Sequence, residues 1–489
     1  MEIVLITVAL LGITALIMPA LGLNGTSPSK NNIFGYITTL VLSLSIVAIA
    51  YNAFNLGSSS STDLIGLFRN DLIGSFVAIT VLTVSLMVSI SSIDYVKEQT
   101  NLHIYYSLIL FSALGMTILS FAVDLIAIIV AWELMSLPTY VLAGFQKKDP
   151  HSNESAVKYF ILGAFSSGIL LYAISILYGL SGSTNIYMII GALSQLDSLL
   201  NPLILLSAAL FIAGFGLKMS LVPFHAWAPD TYEGAPLTIG ALLSAGTKKA
   251  GFIVALRLFL IAFPLIAIYQ SWTIAFAVLA VLTMILGNLA ALTQQSTSRL
   301  LAYSSIGHAG FIIIGFAVAT PFGITGTLYH MFNHAIMQAA AFLAIAAIDR
   351  GINQINVDSY AGLWKRMPVT AFSLTVSLLA LAGIPPLNGF WSKLVLIGAA
   401  LEGGALGEWG IILAITGVLT SVVSLAYYAL VIKKMYMDDS DNLTPVSEPK
   451  HILFVLIIAT IFIIASGLYP APFYEFAANS AANFPNIFS

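Results

Sequence analysis

A small set of ionisable side chains lies inside long apolar runs of this 489-residue sequence. It comprises one carboxylate, four lysines and three histidines: Glu133, Lys218, Lys248, Lys249, Lys393, His308, His330 and His334. Carboxyl, amine and imidazole groups can each take up and release a proton. The sequence has no glycine-rich phosphate loop, no pair of catalytic carboxylates and no nucleophile–base motif. These residues therefore predict proton transfer rather than chemistry on a bound substrate.

Glu133 and Lys218 are the opposed charges that we expect at a similar depth. As a structural ion pair they would only satisfy each other, whereas as a titrating pair they would change protonation during turnover. The apolar runs contain more lysines than carboxylates, so pairing alone would leave several buried ammonium groups without a counter-charge, which is costly. This imbalance favours the titrating pair.

Two adjacent lysines, Lys248 and Lys249, share one apolar segment with Arg257. Neighbouring side chains on a helix point about 100° apart, so both lysines cannot face the same channel. We expect Lys248 to face it and Lys249 to pack elsewhere. A guanidinium group stays charged, so Arg257 is predicted to be an interfacial anchor or an ion-pair partner rather than a proton relay.

The histidines leave two interpretations open. His330 and His334 are four residues apart and share a helix face, but no further carboxylate or thiol accompanies them, so we predict no metal site. Packed, hydrogen-bonded histidines are one possibility, and neutral imidazoles in a proton path are the other. The second suits His308 and His334 at mid-depth better than His330, which is expected nearer the outer side.

The composition predicts that membrane helices position these groups. Hydrophobic residues make up 59 % of the sequence and charged residues 8 %, against about 25 % charged in soluble proteins; mean hydropathy is +0.98. Apolar spans of about 20 residues, enough to cross a bilayer, recur about fourteen times. The first of them, residues 2–22, is interpreted as a retained helix, since its start is acidic. The fold class is an all-α polytopic membrane protein.

The positive charges predict the orientation of the helices. Twelve of the 18 Lys and Arg residues fall in loops or helix ends on one side, and only Arg69 falls in a loop on the other. By the positive-inside rule, the first side is cytoplasmic. A multi-pass protein of the cell (inner) membrane with both termini extracytoplasmic is therefore expected.

Two segments are interrupted by proline and glycine. They are the seventh, with GFGLKMSLVP, and the twelfth, with LAGIPPLNGFWSK. Proline breaks a helix, and broken backbone at membrane depth occurs where it lines a polar cavity. The breaks lie five segments apart, which predicts two inverted five-helix repeats with discontinuous helices 7 and 12. The predicted division is an N-terminal three-helix segment, two repeats and a C-terminal helix, at residues 1–100, 101–262, 263–437 and 438–489.

Four motifs resemble one protein family. LVPFHAWAPDTYEGAP, AWELMSLPTYVLAGF, RLLAYSSIGHAGF and LAGIPPLNGFWSK are similar to sequences of the antiporter-like membrane subunits of respiratory complex I, which are related to Mrp-type cation/proton antiporters. The resemblance covers about residues 100–435. PDTYEGAP looks like the N-type subunit of complex I. His334, in contrast, looks closer to the M-type subunit and to the Mrp antiporters.

The resemblance implies a proton channel between the two repeats. The family's glutamate falls on Glu133 and its lysines fall on Lys218, Lys248 and Lys393; a histidine, His308 or His334, would connect them. It also implies no cofactor in this chain, iron–sulfur clusters and flavin in partner subunits, and partners that are the other membrane and peripheral subunits and the lipid bilayer, with no nucleic acid. The sequence has no cysteine, so it can supply no thiolate to a cluster.

Three functions remain open at this point. The first is a proton-translocating subunit of an oxidoreductase whose donor is NADH, ferredoxin or reduced deazaflavin (F-420) and whose acceptor is quinone or methanophenazine. The second is a subunit of a Mrp-type sodium/proton antiporter. The third, a solute symporter, is disfavoured because no polar cluster around the breaks is shaped for a solute.

Overall fold

The computed structural model describes residues 2–22, 32–56, 62–64, 66–194, 202–263, 266–403, 406–440 and 444–482, and these are almost entirely helical. The first part contains α1 Glu2–Gly22, α2 Asn32–Leu56, the hairpin β1 Thr62–Leu64 and β2 Phe68–Asn70, α3 Leu72–Tyr95, α4 Leu102–Phe121, α5 Leu125–Ala143, α6 Pro150–Ser181, α7 Ile186–Leu193, α8 Pro202–Met219 and α9 Trp227–Gly234.

The second part begins with α10 Leu237–Ala241, which continues through a π-helical turn, Leu242–Thr247, into α11 Lys248–Ile261. It is followed by α12 Ile266–Ala291, α13 Thr297–Ile312, α14 Ile314–Val318, α15 Pro321–Ile352, a 3-10 turn at Val357–Tyr360, α16 Leu363–Arg366, α17 Pro368–Ala382, α18 Asn388–Glu402, α19 Glu408–Met437, α20 Lys450–Leu468 and α21 Ala471–Ala482.

Thirteen helices in the described ranges are long and apolar enough to cross a membrane, and α17 is a shorter apolar helix. The all-α membrane fold is therefore confirmed. The predicted twelfth segment consists of α17 and α18, each 15 residues long, which is below the roughly 20 residues needed for a full crossing. The expectation of about fourteen crossings stays a prediction.

Both interruptions of the helices occur where the prolines and glycines predict them. Helix α8 ends at Met219, and Ser220 follows with a φ of 58°; α17 ends at Ala382, and Gly383 follows with a φ of 87°. A helix end leaves carbonyl groups without a partner. The indole nitrogen of Trp227 donates to the carbonyl of Leu217 at 2.7 Å, and thereby satisfies one carbonyl near the first break.

The centre of the molecule is formed by α15 and by the segment Leu237–Ile261, which are buried over almost their whole lengths. Helix α15 packs against α17 and α18 on one side and against α3, α20 and α21 on another. A helix that is apolar all round belongs in the interior. These two elements carry Lys248, Lys249, His330 and His334, so those side chains lie in the interior of the protein.

A buried ion pair joins the N-terminal helices to the rest of the protein. Asp71 accepts from the backbone N–H of Gly74 and caps α3. Its two carboxylate oxygens also accept from Nη1 and Nη2 of Arg257, at 2.8 and 2.7 Å, and Nη2 donates to the carbonyl of Ser120 as well. Both charged side chains are buried. The prediction of Arg257 as an ion-pair partner is therefore confirmed.

We expect the variant Asp71→Ala to lower the stability of the protein strongly. It leaves the guanidinium of Arg257 buried without a carboxylate, which costs about 3–5 kcal/mol. The double variant Asp71→Ala/Arg257→Leu removes both charges and should be closer to wild type than the single variant. The measurement is thermal unfolding of the purified protein. Asp63→Ala, at an exposed position on β1, is the control, and an equal loss in Asp63→Ala and Asp71→Ala would contradict the expectation.

Candidate functional site

Lys218 is bound by hydroxyl groups. At the end of α8, its Nζ donates to Oγ of Ser136 at 3.0 Å and to the hydroxyl of Tyr159 at 2.7 Å, and it lies 4.9 Å from the centroid of the Tyr159 ring. Ser136 follows Glu133 by three residues on α5, so the two side chains share a helix face. Lys218 therefore reaches the face of α5 that carries Glu133.

Glu133 and Lys218, the opposed charges expected at a similar depth, are not in direct contact. No ion pair of 4.0 Å or less joins them in the described structure. Oε1 of Glu133 is buried and has no hydrogen-bond partner among the described residues. Because Lys218 bonds to Ser136 instead, the carboxylate lies about one helical turn from the residue that holds the amine.

Lys248 lies between α9 and α13. Its Nζ donates to Oγ of Ser305 at 2.9 Å and lies 5.4 Å from the centroid of the Tyr232 ring. The side chain is buried, and it is one of the residues that the sequence places in the channel. Its contacts connect the first predicted repeat, which contains Lys248, to α13 of the second.

Lys249 does not pack away from the histidines, as the sequence analysis expected. Its Nζ lies 2.8 Å from Nδ1 of His334 and donates to the carbonyl of Ser244 at 3.0 Å. Both lysines follow immediately after the π-helical turn Leu242–Thr247. The sequence analysis counted Lys249 among the buried ionisable groups but expected only Lys248 to face the channel.

Three histidines from two helices form a cluster. His308 of α13 and His334 of α15 have ring centroids 4.6 Å apart, and Nδ1 of His308 lies 3.1 Å from Nε2 of His330. Nδ1 of His330 in turn lies 2.9 Å from Oγ of Ser392 on α18. The sequence analysis gave His330 the weaker claim to the path. In the structure, His330 is the residue that connects His308 to α18.

Lys393 lies beside the second helix break, next to Ser392 in the chain. Its Nζ donates to the carbonyl of Ala382, the last residue of α17, at 3.0 Å and lies 4.9 Å from the centroid of the Phe311 ring. Lys249, the histidine cluster and the Ser392–Lys393 pair therefore follow one another through the buried interior of the protein.

The two hydrogen bonds of His330 fit a proton relay. A neutral imidazole has one nitrogen that donates and one that accepts. If Nε2 of His330 accepts from His308, then Nδ1 of His330 carries the proton and donates to Ser392; the reverse tautomer has the opposite polarity. A proton that enters at one nitrogen and leaves at the other switches the tautomer. His330 can therefore transmit a proton without becoming a permanent charge.

Aromatic rings lie between Lys218 and Lys248. The rings of Tyr159 and Trp227 are stacked with centroids 4.7 Å apart, and Trp227 and Tyr232 meet edge to face at 5.7 Å. Tyr159 contacts Lys218 and Tyr232 contacts Lys248. The short helix α9, which carries Trp227 and Tyr232, therefore separates the two amines.

The more exposed side chains of α9 belong to an ionic cluster. Asp230 accepts from Lys158 of α6 at 2.7 Å and from Arg299 of α13 at 2.8 Å, and Arg299 also donates to Glu233. These side chains line a cleft of about 180 Å³. Although partial burial raises it, the hydrogen bonds from Lys158 and Arg299 hold the pKa of the Asp230 carboxyl below its usual range.

The described residues offer no arrangement suited to a metal. They contain no group of three or more His, Cys, Asp or Glu side chains placed to bind one ion. The clustered histidines instead contact each other, Lys249 and Ser392. The geometry fits exchange of protons between amine, imidazole and hydroxyl groups.

Comparisons with known proteins place the chain in a family. Residues 122–424 match the family described as NADH:quinone oxidoreductase/Mrp antiporter, TM. The chain is 40 % identical over 472 residues to F(420)H(2) dehydrogenase subunit N of Methanosarcina mazei, with 93 % of each chain covered. It is 38 % identical over 465 residues to NADH-quinone oxidoreductase subunit N of Trichlorobacter lovleyi, with 94 % of this chain and 93 % of the relative covered.

The fold agrees with this sequence similarity. A chain of the membrane-bound sulfane sulfur reductase, an archaeal respiratory membrane complex, is similar with a TM-score of 0.90 and 27 % identity, over 100 % of this chain and 98 % of that one. The resemblance seen in the four sequence motifs is therefore confirmed. This protein is a member of the NADH:quinone oxidoreductase/Mrp antiporter membrane family.

Proposed function

We propose that this chain is the N-type, antiporter-like subunit of a redox-driven membrane complex and that it conducts protons across the bilayer. One observation carries the proposal: Lys249, His334, His308, His330 and Ser392 make successive contacts through the buried centre of the protein and end beside Lys393. Every member except Ser392 can bind and release a proton, and a hydroxyl can pass one on.

The path has two halves. In the first, Glu133 and Lys218 exchange a proton through the hydroxyl groups that hold Lys218. In the second, Lys248 and Lys249 pass a proton to the histidines, and His330 delivers it toward Ser392 and Lys393. Ordered water joins members that do not touch, since a bridging water is nearly as good as a direct hydrogen bond. The aromatic side chains of α9 separate the two halves, so passage from Lys218 to Lys248 requires α9 to move or water to pass around it.

The energy source lies in other subunits. The relatives named above are subunits of dehydrogenase and oxidoreductase complexes, so we infer that iron–sulfur clusters and flavin belong to partner chains and that this chain binds no redox cofactor. A subunit of a Mrp-type sodium/proton antiporter is the second candidate, because the family includes both classes. Mass spectrometry of the subunits that copurify separates them, since only the first candidate requires partners with redox cofactors.

The proposed path lies between two related units, residues 101–262 and 263–437. One shared backbone feature supports their relation. Asp124 and Asn185 form an isolated antiparallel bridge in the first unit, and Ser296 and Asn356 form one in the second. Each asparagine also caps a short helical turn by accepting from the backbone N–H two residues ahead. The segments 1–100 and 438–489 flank these units.

We also propose that the protein lies in the cell membrane with its positive loops in the cytoplasm. Ion pairs support the predicted sides, because they join loops and helix ends that were assigned to the same face: Arg350 with Glu98, Lys434 with Asp358 and His451 with Asp94. Tags at Met1 and Ser489, which lie outside the described residues, should be accessible from outside in right-side-out vesicles. Accessibility only from the cytoplasmic side would contradict the orientation.

We expect Lys218→Arg to assemble but to lose most proton translocation through this subunit. Arginine can donate to Ser136 and Tyr159, but it stays protonated at physiological pH and cannot release the proton that a relay must pass on. The measurements are protons pumped per electron in vesicles and the amount of assembled complex. Lys434→Arg, at a surface lysine paired with Asp358 and Asp438, is the matched control. Pumping at the wild-type ratio in Lys218→Arg would show that Lys218 is only a structural charge.

We expect Lys249→Ala and His330→Ala each to lower pumping roughly a hundredfold or more, because a positioned proton-transferring group contributes typically about 10²–10⁴-fold. His330→Ala removes the only described contact between His308 and Ser392. His103→Ala is the control, because that histidine packs against Phe34 outside the cluster. If Lys248→Ala impairs pumping while Lys249→Ala does not, the path through Lys249 is wrong.

A further inference from the structure

A groove outside the proposed proton path lies between the N-terminal and C-terminal helices. It has a volume of about 550 Å³ and is bounded by α2 and α3 on one side and by α15 and α20 on the other. Its walls are apolar, with Leu86, Phe332 and Phe462 among them, and contain no charged residue. Of the three hydroxyl groups in the wall, on Thr39, Ser43 and Thr83, two have these contacts within the protein: Oγ of Ser43 donates to the carbonyl of Thr39, and Oγ1 of Thr39 lies 3.3 Å from Oγ of Ser89. The groove therefore favours a hydrocarbon over a polar ligand.

The length of the groove matches one leaflet of a bilayer. Along α3 it is lined from Ile79 to Ile90, and eleven steps at about 1.5 Å per residue give about 16 Å. Half of the roughly 30 Å hydrocarbon core is about 15 Å. A single hydrocarbon chain within one leaflet therefore fits the length of the groove.

One end of the groove is polar. At that end the groove is lined by one residue from each of α2, α3 and α20, namely Thr39, Ile90 and Phe454. About one helical turn beyond them, on the same three helices, lie Tyr36, Asp94 and His451. His451 contacts both others: its Nδ1 is 2.9 Å from Oδ1 of Asp94 and its Nε2 is 3.2 Å from the hydroxyl of Tyr36.

The polar end can bind a phosphate. The imidazole of His451 balances the Asp94 carboxylate when protonated, and the neighbouring Lys450 is exposed at the start of α20. Tyr36 is 52 % exposed, so its hydroxyl can reach a group outside the protein. A tyrosine hydroxyl and a lysine ammonium are donors for phosphate oxygens. Aromatic and basic residues are also typical of the membrane–water interface, on the side where we expect the cytoplasm.

We propose that this groove binds one phospholipid of the adjacent leaflet, with a hydrocarbon chain between α3 and α20 and the phosphate at Tyr36 and Lys450. The lipid fills the space between the N-terminal three-helix segment and the C-terminal helix, two elements outside the region matched by the family. It touches none of the residues of the proposed proton path.

The test uses the complete complex in vesicles that contain a phospholipid with a photoreactive group midway along one chain. After illumination, labelled peptides are identified by mass spectrometry. We expect preferential labelling of α3 between Ile79 and Ile90 and of the groove side of α20, at Val455 and Ala459. Labelling spread evenly over α20, including its exposed residue Ile461, would mean bulk lipid only and would overturn the proposal. A crosslink from the groove to a partner subunit in place of lipid would overturn it as well.

Two variants test the two ends of the site separately. Ala459→Phe places a ring in the groove from a position that is 4 % exposed, and should reduce labelling about fivefold or more. Ile461→Phe, on the exposed face of the same helix, is the matched control and should label as wild type. Lys450→Gln keeps the groove intact and should reduce labelling by the phospholipid, but not by a photoreactive diacylglycerol without phosphate. Unchanged labelling in Ala459→Phe would contradict the site. If Ala459→Phe fails to fold, unchanged phospholipid labelling in Lys450→Gln would contradict it.

Discussion

The need to give each cation in the interior a partner governs the arrangement of this protein. The guanidinium of Arg257, which cannot lose its proton, is paired with the carboxylate of Asp71. None of the buried lysines described has such a partner within 4.0 Å. Their amines instead contact hydroxyls, backbone carbonyls and one imidazole, at Lys218, Lys248, Lys249 and Lys393. Such partners suit an amine in either protonation state, because no carboxylate holds the proton in place.

Irregular backbone supplies some of these partners. Lys249 donates to the carbonyl of Ser244, inside the π-helical turn, and Lys393 donates to the carbonyl of Ala382, at the end of α17. A regular helix uses its carbonyls internally, whereas a helix end or an altered turn exposes some of them. The irregular backbone therefore stabilises the amines of Lys249 and Lys393, whereas Lys218, beside the first break, is held by the hydroxyls of Ser136 and Tyr159.

The sequence predicts those features that depend on residue type. It does not predict contacts that depend on how neighbouring helices pack. Prolines and glycines locate both breaks, and the permanence of the guanidinium charge identifies Arg257 as a structural partner. The contact between Lys249 and His334 was not expected, because it depends on how α11 packs against α15. The position of His330 depends on how α13, α15 and α18 are aligned along their axes. One sequence without contacts between helices cannot give that alignment.

Helix α9 links the surface to the interior. Its more exposed side chains, Asp230 and Glu233, are bound to α6 and α13, whereas the buried rings of Trp227 and Tyr232 lie between two buried amines. The helix is only eight residues long and follows a break. Any motion of α9 that opens a water path between Lys218 and Lys248 must also shift the carboxylates on its outer face. The ionic cluster is thus mechanically connected to the aromatic side chains that separate the two halves of the path.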